Sequence, residues 1–355
     1  MVSIISNEYA IHFNQVGYDY LNFNIKEHNY SKIFVLVDEN SNEYCLAKLL
    51  PLIETESEIE IIELESGEEN KTIETCVQIW NVLIELGADR KSLLINLGGG
   101  VITDMGGFIA STFKRGVAFI NIPTTLLAMV DASVGGKNGV DLGGLKNQIG
   151  TITNPEMVII DSSFLESLPQ NQMRSGLAEM LKHGLIAKKS HWDKFKSLSE
   201  INFDDFDALI HESVAIKNNI VMQDPTENGI RKALNFGHTL GHAIETYFLE
   251  NTSKQKLLHG EAVAVGMVLE SFLSLEKKLI SEKEYLEIKL ALIRVFDRLV
   301  INPEELENII ELLIHDKKNE YGKVQFALLD GIGKVKTNQT TDNETIIKAF
   351  EDYKK

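Results

Sequence analysis

Cysteine is almost missing from this 355-residue chain. Cys45 and Cys76 are the only two, neither stands in a CxxC pair, and a disulfide framework is excluded. No stretch approaches the ~18 apolar residues of a membrane-spanning helix. The opening residues, MVSIISNEYA, lack the basic and apolar regions of a secretory signal. Basic charge is also scarce, with 35 Lys and Arg against 52 Asp and Glu and a formal net charge of −17. That balance leaves no surplus of cations to displace counterions from nucleic acid or to grip an anionic membrane. The expectation is a cytoplasmic protein with neither nucleic-acid nor membrane partners. At roughly 100–200 residues per domain, the length suggests about two domains.

One further absence is local. Residues 99–150 contain no glutamate; Lys114, Arg115, Lys137 and Lys146 face only Asp104, Asp131 and Asp141, a local sum of +1. Residues 51–75 are the opposite, with nine Glu and one Lys, and read as a solvated face. A Gly- and Thr-rich, weakly cationic window inside an acidic chain favours a small anion.

The first ~165 residues alternate β-branched runs with helical patterns. Residues 32–38, 92–97, 117–122 and 157–161 read as buried strands, and a helical pattern lies around 72–86. That rhythm predicts a parallel α/β sheet. Beyond Pro169 the spacing becomes helical over 170–187, 204–223, 229–249, 258–279, 281–299 and 303–315, with one short strand expected at 324–329. The chain therefore reads as an α/β domain over 1–165 and an all-helical domain over 166–355.

Several motifs carry chemistry. Gly98-Gly99-Gly100-Val101 follows a strand and opens a helix, where backbone can approach a pyrophosphate. It lacks the third glycine of the common dinucleotide fingerprint, since Thr103 stands there. A tight turn without ligand is the competing reading. Asp104 lies one helical turn on, within reach of a hydroxyl. Asp38 ends a strand, as a ribose-binding acid does or as a plain turn does. Glu68 and Lys71 share one side of an emerging helix, which by itself is a solvated helix start. Thr124 and Thr125 follow a strand as hydrogen-bonding hydroxyls or as helix caps. Lys137 and Lys146 stand in Gly- and amide-rich loops suited to phosphate or carboxylate.

The strongest local signal resembles a metal centre. His238 and His242 lie at i and i+4 on one helix face, His259 opens the next helix, and Glu179 lies in an otherwise apolar helix. Imidazoles and a carboxylate suit a catalytic Zn²⁺ with an open position. Spacing alone nominates both His238 and His242 as ligands.

Taken in order, LGGGVITDMGGFIASTFKRG, IPTTLLAMVDASVGGK, LKNQIG, GLAEMLKHG, LNFGHTLGHAIE and HGEAVAVGM resemble the 3-dehydroquinate synthase family, among the sugar-phosphate cyclases and the wider glycerol-dehydrogenase-like group. The resemblance implies a Rossmann-like NAD domain followed by a helical metal domain, with the active site between them. It implies that Glu179, His238 and His259 hold Zn²⁺ or Co²⁺ and that His242 contacts substrate instead. It places Asp38, Glu68, Lys71, Gly99, Gly100, Val101, Asp104, Thr124 and Thr125 at NAD-contacting positions, with Lys137 and Lys146 beside them. Arg115, Asp131, Lys137, Lys146, Asn147, Lys182, Arg231, Asn235 and a lysine of the pair Lys317-Lys318, here Lys317, fall at substrate-contacting ones. His242 and Lys182 are the candidates for proton handling. The implied reaction turns 3-deoxy-D-arabino-heptulosonate 7-phosphate into 3-dehydroquinate and phosphate, on the route to aromatic amino acids. It runs by transient NAD-dependent oxidation, β-elimination of phosphate, reduction and intramolecular aldol closure. A homodimer is implied as well.

Three departures from the family pattern stand out. Asn138 replaces a usual Thr, DLGGLKN lacks a usual proline, and residues 247–257 are somewhat long, as if they formed a surface loop. Competing readings are a sibling cyclase such as 2-deoxy-scyllo-inosose synthase, a metal-dependent alcohol dehydrogenase that consumes NAD(P), and a non-catalytic NAD-binding scaffold.

Overall fold

The computed structural model describes residues 1–143, 145–195, 203–251, 254–314 and 324–355. By its internal packing the chain divides into two compact units, Met1–Pro169 and Gln170–Lys355.

The strands of the first unit are β1 (Ile4–Ile5), β2 (Ala10–Phe13), β3 (Ile33–Asp38), β4 (Ile59–Leu64), β5 (Leu93–Gly98), β6 (Ala118–Pro123), β7 (Lys137–Leu142), β8 (Leu145–Ile152) and β9 (Met157–Ile160). Seven of them form one sheet in the order β1-β2-β9-β6-β5-β3-β4. Every pairing is parallel except β1 with β2. The apolar runs IFVLVD and LLINLG are unbroken because both sheet faces are covered. On one face the helices Ile73–Glu85 and Gly100–Thr112 bury Cys76, Ile79, Leu83, Ile102, Met105 and Phe108 against Phe34, Leu36, Leu94 and Phe119. The chain leaves β3 toward β4 on one side and β5 toward β6 on the other, so the two strands send it in opposite directions. Their carboxyl ends therefore flank a topological switch point, where open α/β sheets form a ligand crevice.

Two segments depart from the expectations. Residues 51–75 are not solvated throughout, because Ile59–Leu64 is an edge strand that turns Ile62 and Leu64 inward beside β3. The glutamates stay outside, where charge protects an edge from pairing, and Glu58 and Glu60 ion-pair with Lys32. Lys137 and Lys146 lie not in loops but on an antiparallel hairpin, β7 with β8. Near its tip Leu142 pairs with Leu145, and Gly143 takes φ +58°. Asn138 is an internal anchor of the hairpin. Its amide donates to the carbonyls of Gly136 and Thr153, and its side chain occupies the space that a Cβ on Gly107 would need.

The second unit is mainly helical. Its helix His259–Glu276 is apolar nearly all round because it is the hub, packed by the helices Gln170–Ala187, His238–Glu250, Glu282–Phe296 and Asn343–Tyr353. It is not all-helical: β10 (Phe326–Leu329) pairs antiparallel with β11 (Val335–Gln339), a partner the sequence pattern did not reveal. The helical pattern over 229–249 is broken as well. A 3₁₀ turn, Ile230–Asn235, is followed by Gly237 at φ +79°, and the helix restarts at His238. The expected loop from Tyr247 begins only after Glu250, where that helix ends.

Outside the candidate site, Glu212 accepts from Lys188 (2.6 Å), Lys194 (2.7 Å) and His191 Nδ1 (2.8 Å). Burial pushes the Glu212 carboxyl up, but these three donors outweigh it and bring it down to about 2. The folded value lies below the ordinary 4.5, so this stabilisation is complete above pH 4.5 and is lost as pH falls toward 2. Glu212→Gln should therefore cost more stability at pH 7 than at pH 3, as read by urea unfolding at both values.

Candidate functional site

In the first unit, the chain leaves β5 through Gly98 and Gly99 and enters the helix at Gly100, with no side chain capping the first turn. Thr124 N donates to Gly98 O at 2.9 Å, bringing the loop after β6 alongside. A Cβ on Gly99 would lie 3.2 Å from the Thr125 methyl, so the turn is narrow. Thr125 Oγ1 accepts from Ala128 N and so acts as a cap. Asp38, at the end of β3, accepts from Ser41 N (2.7 Å) and Ser41 Oγ (2.8 Å), a capped turn at the crevice. A backbone turn at a helix N-terminus with an acid at the neighbouring strand end fits a dinucleotide's pyrophosphate and ribose. Val101 is half-buried in the first turn of the same helix.

Lys71 is not a solvated helix residue. It is only 3% exposed, and its Nζ donates to Asp104 Oδ2 at 2.6 Å and to Asn147 Oδ1 at 2.7 Å. Burial lowers the Lys71 pKa, but Asp104, Glu68 and Asp141 overcome this and raise it above the ordinary lysine value. Around it, Lys146 pairs with Glu68 at 3.3 Å, and Asn147 N donates to Asp141 Oδ1 at 2.6 Å. Thus Glu68, Lys71, Asp104, Lys146 and Asn147 form one cluster. The structure does not bring Arg115 to it: Arg115 is exposed beyond the far end of Gly100–Thr112, about 20 Å along a helix of that length. Lys137 is exposed at the start of β7, and Asp131 is half-buried in the π-helical turn Ala128–Ala132.

In the second unit, Glu179 and Lys182 project from the buried middle of Gln170–Ala187 with 0% and 1% exposure, and they form a close ion pair. Apart from that pair, neither Glu179 oxygen receives a hydrogen bond from the described residues. Glu179 Oε1 instead faces His238 Nε2 at 3.5 Å and His259 Nε2 at 3.8 Å. Ring nitrogens of His238, His242 and His259 all lie within 4.8 Å of one another. Glycine makes this convergence possible. A Cβ on Gly266 would fall 2.0 Å from Gly237 O, and one on Gly260 would fall 2.0 Å from Ser175 O, so the histidine-bearing helices approach backbone to backbone. A buried carboxylate with unsatisfied oxygens beside converging imidazoles fits a divalent cation such as Zn²⁺ or Co²⁺.

Arg231 and Asn235 sit on the 3₁₀ turn just before His238. Burial pushes the Asp224 carboxyl up, yet the backbone N–H groups of Gly229, Arg231 and Asn228 hold it below the usual range and shape the loop. Arg231 is buried and donates to Pro225 O at 2.6 Å, while Asn235 donates to Glu227 at 2.5 Å. Lys317 and Lys318 lie outside the described residues.

Buried charged residues in this unit that escaped the sequence reading include Lys217, Glu245 and Glu270. Glu270 accepts from Gly237 N (2.7 Å) and Leu240 N (3.1 Å), capping the start of the His238 helix. Glu245 accepts from His259 Nδ1 at 3.1 Å. The available signal was a lone charge on an apolar helix face; for Glu245, the spacing His238, His242, Glu245 puts all three on one side.

The sequence matches the 3-dehydroquinate synthase N-terminal family over residues 61–175 and the 3-dehydroquinate synthase C-terminal family over residues 176–319. The chain belongs to the 3-dehydroquinate synthase family. It is 42% identical over 330 residues to the 3-dehydroquinate synthase of Parabacteroides distasonis, covering 92% of each chain. It is 40% identical to that of Clostridium beijerinckii, covering 85% of this chain and 86% of the other. Its fold is shared with a 2-deoxy-scyllo-inosose synthase solved with carbaglucose-6-phosphate, NAD⁺ and Co²⁺ (TM-score 0.84, 23% identity, 99% of both chains). A 2-epi-5-epi-valiolone synthase from Streptomyces hygroscopicus with NAD⁺ and Zn²⁺ bound is equally similar (TM-score 0.84, 24% identity, 100% and 99% covered). As a 3-dehydroquinate synthase family member the chain is an α/β Rossmann-like unit followed by a mainly helical one. No helix among the described residues is long and apolar enough to cross a membrane.

Proposed function

We propose that this protein is an NAD- and metal-dependent lyase that converts 3-deoxy-D-arabino-heptulosonate 7-phosphate to 3-dehydroquinate and phosphate. Family membership over residues 61–319 supports the reaction. The observation that carries it in the structure is Glu179, a buried carboxylate paired with Lys182 and set against the Nε2 atoms of His238 and His259.

Glu179, His238 and His259 would hold the divalent cation, and the turn Gly99-Gly100-Val101 with Asp38, Asp104, Thr124 and Thr125 would hold NAD⁺. When bound, these groups supply Lewis-acid polarisation of a substrate hydroxyl and a reversible hydride acceptor. The chain's residues do the rest. Lys182, fixed by its pair with Glu179, and His242, one turn along from His238, hold and move protons at the substrate hydroxyl. Arg231 and Asn235, stiffened by the Asp224 loop, and Lys137, Lys146 and Asn147 on the hairpin bind the carboxylate and phosphate of the substrate. Lys71 fixes Asp104 and Asn147 in register, so that cofactor and substrate contacts share one support. Lys317 or its neighbour Lys318 joins the anion set by resemblance. A cytoplasmic location and a homodimer belong to the same reading, the latter checked by light scattering on the purified chain.

Substrate choice separates this reading from a sibling cyclase. With NAD⁺ and Zn²⁺ present, the heptulosonate phosphate should release phosphate at least ~100-fold faster than glucose 6-phosphate, a ratio worth about 3 kcal/mol. Glucose 6-phosphate is the sugar whose carba analogue occupies the inosose synthase structure. Preferential turnover of glucose 6-phosphate would contradict the proposal.

A further inference from the structure

We propose that Glu245 is a positioning residue that fixes His259 as a metal ligand by accepting its Nδ1–H, an inference that rests on the metal reading above. His259 has its two ring nitrogens committed in different directions. Nδ1 lies 3.1 Å from Glu245 Oε2, a hydrogen-bond length, while Nε2 points to Glu179 Oε1 at 3.8 Å, beyond one. A carboxylate on Nδ1 requires a proton there, so the neutral ring directs its Nε2 lone pair toward Glu179 and a shared cation. The carboxylate also makes that imidazole a stronger donor.

Glu245 is 5% exposed and is carried by the His238 helix, seven residues from His238 and three from His242. One helix thus contributes imidazoles and also the group that orients the histidine of the next helix. His238 is oriented differently: its Nδ1 lies 3.2 Å from the carbonyl of Phe236, a neutral acceptor. His259 has a carboxylate on its Nδ1, so the Glu245 contact is where the chain adds donor strength to this ligand. The close crossing at Gly241, where a Cβ would meet Ala262 O at 3.1 Å, brings the two helices near enough for this bond.

The test is Zn²⁺ affinity of the metal-free full chain, measured by chelator competition for wild type, Glu245→Gln, Glu245→Ala and the exposed control Glu250→Ala. Wild type and the control should bind alike. Glu245→Ala should bind about 10- to 100-fold more weakly, and Glu245→Gln, which keeps a neutral acceptor, should fall between. The melting temperature of the metal-free protein should be unchanged in Glu245→Gln, which separates positioning from general stability. Wild-type affinity in both Glu245 variants would overturn this inference while leaving the metal reading intact. Absence of Zn²⁺ binding by wild type would overturn both.

Discussion

His259→Ala should fold, purify without stoichiometric metal, and lose about 10³-fold or more in turnover, since Lewis-acid assistance is worth several kcal/mol and each 1.4 kcal/mol is tenfold. His259 is half-buried at the first turn of its helix, so its truncation leaves no large cavity. His238→Ala should behave alike. His242→Ala should keep about one metal per chain while turnover falls, because the reading gives His242 to substrate. The three rings are mutually close, with centroid separations of 5.1, 5.4 and 5.6 Å, so distance alone does not pick the pair. Elemental analysis of the three variants does. Metal loss in His242→Ala with retention in His259→Ala would reverse the assignment. Glu179→Gln should be harsher still, because it leaves the Lys182 ammonium buried without its counter-charge.

Lys71→Met should destabilise the protein by about 3 kcal/mol, the low end for removing one partner of a buried pair. Asp104 is left beside Glu68 and Asp141 with its cation gone, and the loop of residues 67–71 loses its tie to Asn147 on the hairpin. Adding Asp104→Leu should recover much of that loss, and the non-additivity measures the coupling. NAD⁺ affinity should fall in the single variant and stay low in the double, since Asp104 itself belongs to the proposed cofactor set. Urea unfolding and calorimetric titration read the two effects separately. Additive stability losses would show that the pair is incidental.

How much was legible in the sequence differs between the two units for physical reasons. Parallel strands buried on both faces read as unbroken β-branched runs, so β3, β5, β6 and β9 were visible within a residue or two at each end. The edge strand β4 was hidden because its outward glutamates dominate the composition while only Ile62 and Leu64 face fully inward. Hairpin β7–β8 was hidden because glycines and amides spell a loop, although its register is held by backbone pairing and by Asn138. The break at Gly237 could not be read from helical spacing, which runs straight through it. It depends on a left-handed glycine packed against Met267 and on a Glu270 cap contributed 33 residues away. The site residues were legible as chemical types. Lys71 was not legible as buried, because its partners Asp104 and Asn147 lie 33 and 76 residues along the chain.

The most direct measurement follows phosphate and NADH together, with the heptulosonate phosphate in large excess over NAD⁺ and with Zn²⁺ present. The account predicts phosphate equal to substrate consumed, over many turnovers per NAD⁺, with no net NADH. NADH accumulating in step with substrate, or oxidation without phosphate release, would contradict it and make the chain a dehydrogenase.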